Sequence, residues 1–252
     1  MAGAKPKRTD TTTRPRSNGA RVWLVTGASS GIGLKVCSHL HAQGYDVIAT
    51  GRRDGAALPP SFPDIPYICA DLSDPAGRAH LLAHMPVALD FALLNAGIGY
   101  YRPLQAETED AIAQVLHTNL HAPIAMAAAL YPALLTRSGV LGLVGSVAYR
   151  KAAAMPVYAA SKAGLDGFGR SLHSEWQGRV QVRVIHPGPT DTGMAERAGL
   201  QAGLAARLML PTADVASLIV AQMLRPGGHR RIVSFGAVLA GRVRAFLTGR
   251  AQ

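Results

Sequence analysis

A doubly wound α/β fold, a parallel sheet with helices on both faces, is predicted by three features of this sequence. Short apolar runs alternate with amphipathic helical stretches along most of its 252 residues. A glycine-rich turn, Gly27-Ala-Ser-Ser-Gly31-Ile-Gly33, falls between the first apolar run and the first helix. An apolar content of 48% supplies the core of one α/β domain at this length better than two. The expectation is a single domain of about seven strands.

Residues 1–20 contain almost no large apolar side chain and read as a disordered basic arm. From Arg21 the run RVWLVT reads as a strand buried on both faces. After the glycine turn, LKVCSHLHAQG reads as an amphipathic helix closed by Gly44, and YDVIAT as a second strand. These pieces make a βαβ unit, whose crossover is right-handed and whose strands are parallel. YICA (67–70) is the third strand, PAGRAHLLAHM a helix, and DFALLNAG a strand and turn. The stretch from Glu107 to Leu135 supplies one or two helices, in which Pro123 and Pro132 should mark boundaries or kinks. VLGLVGS is the fifth strand, the stretch from Val157 to Gln177 a helix, and RVQVRVIHPG the sixth strand and its turn. A short substrate segment, 189–210, carries a helical patch around Ala195 to Met209. TADVASLIVAQML is the next helix, and RRIVSFG the seventh strand, closing the domain at residue 235. Residues 236–252 read as an amphipathic extension covering the body of the protein or a partner, with membrane-surface contact through 236–250 as the alternative.

Composition excludes several functions. The net charge is +11, of which the first twenty residues carry +4 and the rest +7, scattered mostly singly, so no nucleic-acid surface is expected. The longest run free of charge and strong polarity, Ala122 to Leu135, holds two prolines and is too short to span a bilayer. Cys37 and Cys69 lie in apolar runs without CxxC spacing and read as buried, inert thiols of a cytoplasmic protein. His80/His84 and His117/His121 have the i, i+4 spacing of a chelate but no accompanying ligand set, so exposed helix histidines and no metal are expected.

A helix N-terminus offers unpaired N–H groups and partial positive charge to a phosphate, and glycines let the phosphate approach. The spacing of Gly27, Gly31 and Gly33 is G-x-x-x-G-x-G rather than G-x-G-x-x-G, but its place after the first strand points to dinucleotide binding. Ser29 and Ser30 could add hydroxyl contacts to phosphate or to the neighbouring loop. At the end of the second strand an acid would hold a ribose 2′-hydroxyl, whereas arginine would meet a 2′-phosphate. Here Arg52 and Arg53 stand there and Asp54 starts the following loop, so NADPH/NADP+ is expected in preference to NADH.

Tyr158 and Lys162 are four apart on one helix face, and Ser146 ends the strand before that helix. An ammonium beside the phenol is expected to lower the tyrosine's proton affinity, so that Tyr158 can act as general acid and base. Ser146 would orient the substrate oxygen. Taken singly, each residue has a bland reading as core, surface or strand end. Together with the glycine turn they make one active site.

The set Thr26-Gly27-Ala28-Ser29-Ser30-Gly31-Ile32-Gly33, Asn95-Ala96-Gly97, Asn119, Ser146, Tyr158-x-x-x-Lys162 and Pro187-Gly188 resembles the short-chain dehydrogenase/reductase family, from about Arg21 to Phe235. The resemblance implies a Rossmann-type domain and NAD(P)-dependent oxidation or reduction at a carbonyl or alcohol carbon. It further implies that Asp71 and Leu72 lie along the adenine, that Asn95, Ala96 and Gly97 close the cofactor floor, and that Pro187, Gly188, Thr190 and Thr192 hold the carboxamide. Lys162 would also bind the ribose hydroxyls, and Asn119 would break its helix and hold a water leading from Lys162 to solvent. Leu94 departs from the family's frequent second asparagine.

The substrate pocket is expected from loops after the strands: Gly99, Tyr100 and Tyr101, then Val147, Tyr149 and Met155, then Met194. Their character suggests a small, mainly apolar carbonyl or alcohol; Arg150 and Lys151 would suit an acidic substrate or an acyl carrier, or else form a solvated loop. The family resemblance implies a homo-oligomer, dimer or tetramer, although the chain lacks the Val-Asp-Gly-Gly ending many members use in a tetramer. A cofactor-recycling epimerase or dehydratase is a second reading, and a non-catalytic NADP-binding scaffold or sensor a third. The first of these needs a substrate domain for which little chain remains after Pro187, and the intact Ser146, Tyr158 and Lys162 argue against the other.

Overall fold

The structure, a computed structural model, describes residues 20–193, 209–227 and 230–233. The expectations for the basic arm, the patch from Ala195 to residue 208, Met194 and the extension at 236–252 lie outside these residues.

Seven parallel strands form one sheet in the order β3-β2-β1-β4-β5-β6-β7. They are β1 (Val22–Thr26), β2 (Asp46–Gly51), β3 (Tyr67–Cys69), β4 (Phe91–Leu94), β5 (Val140–Val144), β6 (Gln181–Pro187) and β7 (Arg230–Val233). The helices are α1 (Gly31–Ala42), α2 (Pro75–Ala83), α3 (Glu109–Leu116), α4 (Ala122–Leu135), α5 (Pro156–Glu175) and α6 (Thr212–Leu224). The strand order reverses beside β1, so the crevice at the carboxyl ends of β1 and β4 is the place where such a sheet receives a ligand.

The apolar strand runs serve two cores because successive side chains point to opposite faces. Trp23, Val25, Phe91 and Leu93 pack with Val36, Cys37 and Leu40 of α1 and Ile219 and Met223 of α6. Leu24, Ala92, Leu141 and Val184 pack on the other face with Leu81 of α2, Met126 and Leu130 of α4 and Leu165 of α5. The doubly wound arrangement follows from this division.

Caps define several helix ends, that at Gly44 as the sequence suggests. Gly44 takes φ +77° after α1. Asp74 caps α2, with Pro75 in its first turn, and Thr108 caps α3 by accepting from Ala111 N–H at 3.2 Å. Pro123 sits in the first turn of α4, but Pro132 lies inside that helix with its side exposed, neither ending it nor requiring a break.

Two further expectations are corrected. Cys37 is buried, but Cys69 is exposed, because β3 is the edge strand and its inward residue is Ile68. Between α3 and α4 the chain does not break at Asn119. It passes through one π-helical turn, His117–His121. Pro123 has no N–H to give to the carbonyl four residues back, that of Asn119, which favours a bulge at this point.

Candidate active site

The carboxyl ends of the strands open into a cleft of about 840 Å³. One half is made of backbone. Gly27 and Gly31 take φ +66° and +55°, which a side chain would strain. A Cβ at Gly33 would lie 2.3 Å from the Gly27 carbonyl oxygen, so α1 starts as close to β1 as a chain can. Thr26, at the end of β1, accepts from the N–H groups of Asn95 and Ala96 at 2.9 and 3.0 Å, while Asn95 Nδ2 donates to the Thr26 carbonyl at 2.9 Å. This locks the Asn95–Gly97 floor to the glycine turn. Thr192 stands over the same turn, 3.1 Å from where a Gly31 Cβ would be. Thr190 bridges to Leu210 and donates from Oγ1 to the Gly188 carbonyl at 2.8 Å.

This half fits a dinucleotide. The N-cap of α1, Ser30, makes no side-chain bond to the first turn, and that turn carries no acid. Arg52 and Arg53 are exposed on the cleft wall, and Arg52 reaches Asp71 only at 3.9 Å across a half-exposed gap. Asp54 is engaged elsewhere, accepting from Ala56 N–H at 2.7 Å. Tyr67 and Cys69, two residues whose part sequence reading missed, hold the arginine backbone by donating to the carbonyls of Arg53 and Arg52 at 2.8 and 3.6 Å. Burial pushes the Tyr67 phenol up to about 12, and its side chain also bonds Ser29. Ser29 thus serves the neighbouring loop. Beyond Asp71 and Leu72, Arg78 of α2 donates to the carbonyls of Leu72 and Ser73 at 2.8 and 3.2 Å and fixes that loop.

The other half is made of side chains. Tyr158, Lys162 and Ser146 all line the cleft beside Asn95–Gly97 and Pro187–Gly188. Lys162 is not a surface cation: it is 3% exposed, with Nζ donating to the Val144 carbonyl at 2.8 Å. Its ammonium is drawn down to about 8 by burial. The expected effect on Tyr158 is reversed here. Burial raises its proton affinity, a hydrogen bond with the Ser146 side chain opposes this, and Tyr101 raises it further. The ammonium sits 5.6 Å from the Tyr158 ring centroid and points its proton at Val144.

Asn119 is fully buried in the π turn, where Oδ1 accepts from Ile98 N–H and Nδ2 donates to the Ile98 carbonyl, both at 2.8 Å. Nδ2 also donates to Ser161 Oγ at 3.1 Å, tying the loop after β4 to α5. Of the expected pocket residues, Val147, Met155 and Tyr101 line the cleft. Tyr100 turns away to Gln114, and Arg102 lies over its ring at 4.4 Å. Gly99 lies behind, where a Cβ would meet Met155 and Tyr158 at 2.8 and 2.9 Å. Tyr149 packs on His186, and Arg150 donates to the Tyr149 hydroxyl, so Lys151 alone of that basic pair lines the cleft. The paired histidines stack edge to ring in the open, and no metal-ligating cluster occurs among the described residues.

A parallel sheet with a glycine crossover at its switch point and a Ser, Tyr and Lys converging beside it defines a nucleotide-dependent oxidoreductase site. Residues 21–202 match the family model described as short chain dehydrogenase, and the chain belongs to that short-chain dehydrogenase/reductase family, a class of NAD(P)-dependent oxidoreductases. It is 30% identical to the 3-oxoacyl-(acyl-carrier-protein) reductase FabG of Salmonella typhimurium over 91% of this chain and 93% of that protein. It is also 30% identical to an uncharacterized oxidoreductase of Mycobacterium tuberculosis over 83% of this chain and 87% of that one. Among solved structures, a short-chain dehydrogenase from Streptomyces avermitilis superposes with a TM-score of 0.76 at 26% identity, covering 93% and 97% of the two chains. One from Shigella flexneri, complexed with NADP, does so with a TM-score of 0.74 at 27% identity over 84% and 95%.

Proposed function

We propose that this protein is an NADP(H)-dependent oxidoreductase that interconverts a carbonyl and an alcohol, with Tyr158 as general acid and base. The observation that carries the reading is the convergence of Tyr158, Ser146 and Lys162 on the cleft that the glycine turn and the two exposed arginines also line. The preference for a 2′-phosphate rests on Arg52 and Arg53, and the related Shigella flexneri chain complexed with NADP supports it.

Residues Gly27 to Gly33 would receive the pyrophosphate, Asp71 and Leu72 the adenine, and Pro187 to Thr192 the carboxamide. Bound there, the nicotinamide supplies or accepts the hydride. Tyr158 donates its proton to the substrate oxygen as that oxygen becomes an alcohol, and takes it back in the reverse direction. Ser146 holds the same oxygen and stabilises the charge developing on it. Lys162, already poised to lose or keep a proton at about 8, supports the phenolate through the ribose hydroxyls it would bind, and Asn119 holds the loop that walls this path. Val147, Met155 and Tyr101 present a mainly apolar wall to the substrate, with Lys151 at its edge.

The chain is further proposed to act as a homodimer. Ile124 and Tyr131 of α4, Phe168 of α5 and Trp176 just past its end line an outward groove together with Glu175 and Arg179, whose opposite charges a second copy would match in antiparallel register. Sedimentation velocity measures this directly, and a monomer at micromolar concentration refutes it. Cytoplasmic location is proposed from the sequence's two cysteines, which lack CxxC spacing. The reaction is tested by following NADPH absorbance with a panel of ketones, aldehydes and acyl thioesters. Net oxidation is expected; product change without net oxidation would identify an epimerase or dehydratase, and binding without reaction a sensor.

A further inference from the structure

Ser146 is held from a side that the reaction scheme leaves unused. β5 and β6 pair as far as Val144 and Ile185, and the Gly145 N–H donates to the Ile185 carbonyl at 2.8 Å. This brings His186 beside Ser146, with ring Nδ1 3.2 Å from the Ser146 carbonyl oxygen. The ring's other nitrogen, Nε2, lies 2.9 Å from Asp166 Oδ1. Asp166 comes from α5, one turn beyond Lys162, and its second oxygen lies 3.2 Å from Arg170 Nε. The helix can deliver it because Gly169 lets α5 press on β6; a Cβ there would lie 2.2 Å from Val184 Cγ2.

The ring is enclosed. His186 is 0% exposed, Tyr149 covers it with centroids 4.4 Å apart, and a Cβ on Gly145 would fall 2.5 Å from Nδ1. Facing it are the carboxylate of Asp166, buttressed by Arg170, the Tyr149 ring, and the Ser146 peptide. Both ring nitrogens therefore meet oxygen acceptors. A neutral imidazole has one N–H and can satisfy only one of them. Asp166 also accepts from Arg170 through its second oxygen, so both of its oxygens face donors and the second proton is assigned to the ring.

We infer that His186 is a positioning residue, held as an imidazolium between Asp166 and the Ser146 carbonyl, and that by clamping this peptide it aims Ser146 Oγ at the substrate oxygen. A charged donor in a site closed to water holds a carbonyl more firmly than a neutral one. Ser146 is extended at φ −166° and ψ 150°, and its Oγ already accepts from Ala148 N–H at 3.2 Å, so with the carbonyl fixed its remaining freedom is small. The protonation part stands on geometry alone; the catalytic part rests on the proposed oxidoreductase reading.

Nitrogen-15 NMR of the histidine rings in the intact protein tests the first part, with His186→Asn identifying the signal. One imidazole with both nitrogens protonated, persisting above the pH at which exposed histidines lose their charge, is expected; a single protonated nitrogen near neutral pH would overturn the inference. Kinetics with NADPH and a turned-over carbonyl test the second part. His186→Leu should lower kcat about tenfold or more while leaving KM for NADPH unchanged. His186→Asn keeps an amide donor near Nδ1 and should recover most of that loss. Equal kcat in both variants, or a matching loss in both, would remove the positioning role, while a wild-type protein that turns over no carbonyl would refute the oxidoreductase reading and leave the ring measurement to decide the ion pair.

Discussion

The two halves of the cleft are built by opposite means. The nucleotide half is backbone brought so close that only glycine fits, as at Gly33, and its polar atoms are paired with one another through Thr26 and Asn95. The reacting half is side chains taken out of water, with Lys162 almost wholly buried and Tyr158 and Lys162 both moved from their ordinary proton affinities by burial. The first half is made by removing atoms and is stable as it stands. The second holds groups that would be better solvated elsewhere, the setting in which the proposed proton transfer by Tyr158 would take place.

Substitutions can break that contrast. Tyr158→Phe strikes the reacting half alone, and turnover should fall about a thousandfold or more with NADPH binding intact, by stopped-flow and fluorescence titration. Gly33→Ala strikes the other half; its methyl must displace the Gly27 backbone, so NADPH affinity should fall about a hundredfold, or the domain should lose several degrees in Tm. Replacing Arg52 and Arg53 together by alanine should weaken NADPH about tenfold to a hundredfold and leave NADH unchanged in calorimetric titration. Equal weakening of both cofactors would mean the arginines serve the fold.

The smallest effect runs the other way. Holding the Lys162 ammonium at about 8 instead of 10.5 costs about 3 kcal/mol below pH 8. Lys162→Met relieves that cost but leaves the Val144 carbonyl without its donor, for a net gain of about 1–2 kcal/mol and a few degrees in Tm. The unfolded chain keeps this proton up to 10.5 and the folded one only to about 8, so wild-type stability should gain on the variant as pH rises between those values. A variant less stable than wild type at neutral pH would show the buried lysine to be structural.

The nucleotide half was readable because glycine spacing and strand-end arginines are local signals. So were Tyr158 and Lys162, four apart on one helix. What the sequence concealed was where the lysine's charge goes. A helical lysine reads as a surface cation, and only the packing of α5 on β5 shows Nζ capping the Val144 carbonyl. Tyr67 and Cys69 were hidden for a related reason. They look like core residues of a strand, yet on an edge strand their side chains turn to the arginine loop 14 and 17 residues away. Tyr149 passed for a pocket residue because its neighbours Val147 and Met155 are pocket residues. His186, distant in sequence, claims its ring instead.

The π turn at His117–His121 also acts as a change of phase. One residue more than an α-helical repeat is wound into a single rod, so α4 is rotated about 100° from where α3 alone would carry it. That rotation lets one continuous helical segment face two tasks: before the turn Val115 is buried, within it Asn119 reaches the loop at Ile98, and beyond it Met126, Leu130 and Leu134 meet the sheet. Reading frame along the helix, and not only residue identity, thus belongs to this site. A one-residue deletion here would keep every side chain of the site in the sequence and put them out of step with each other.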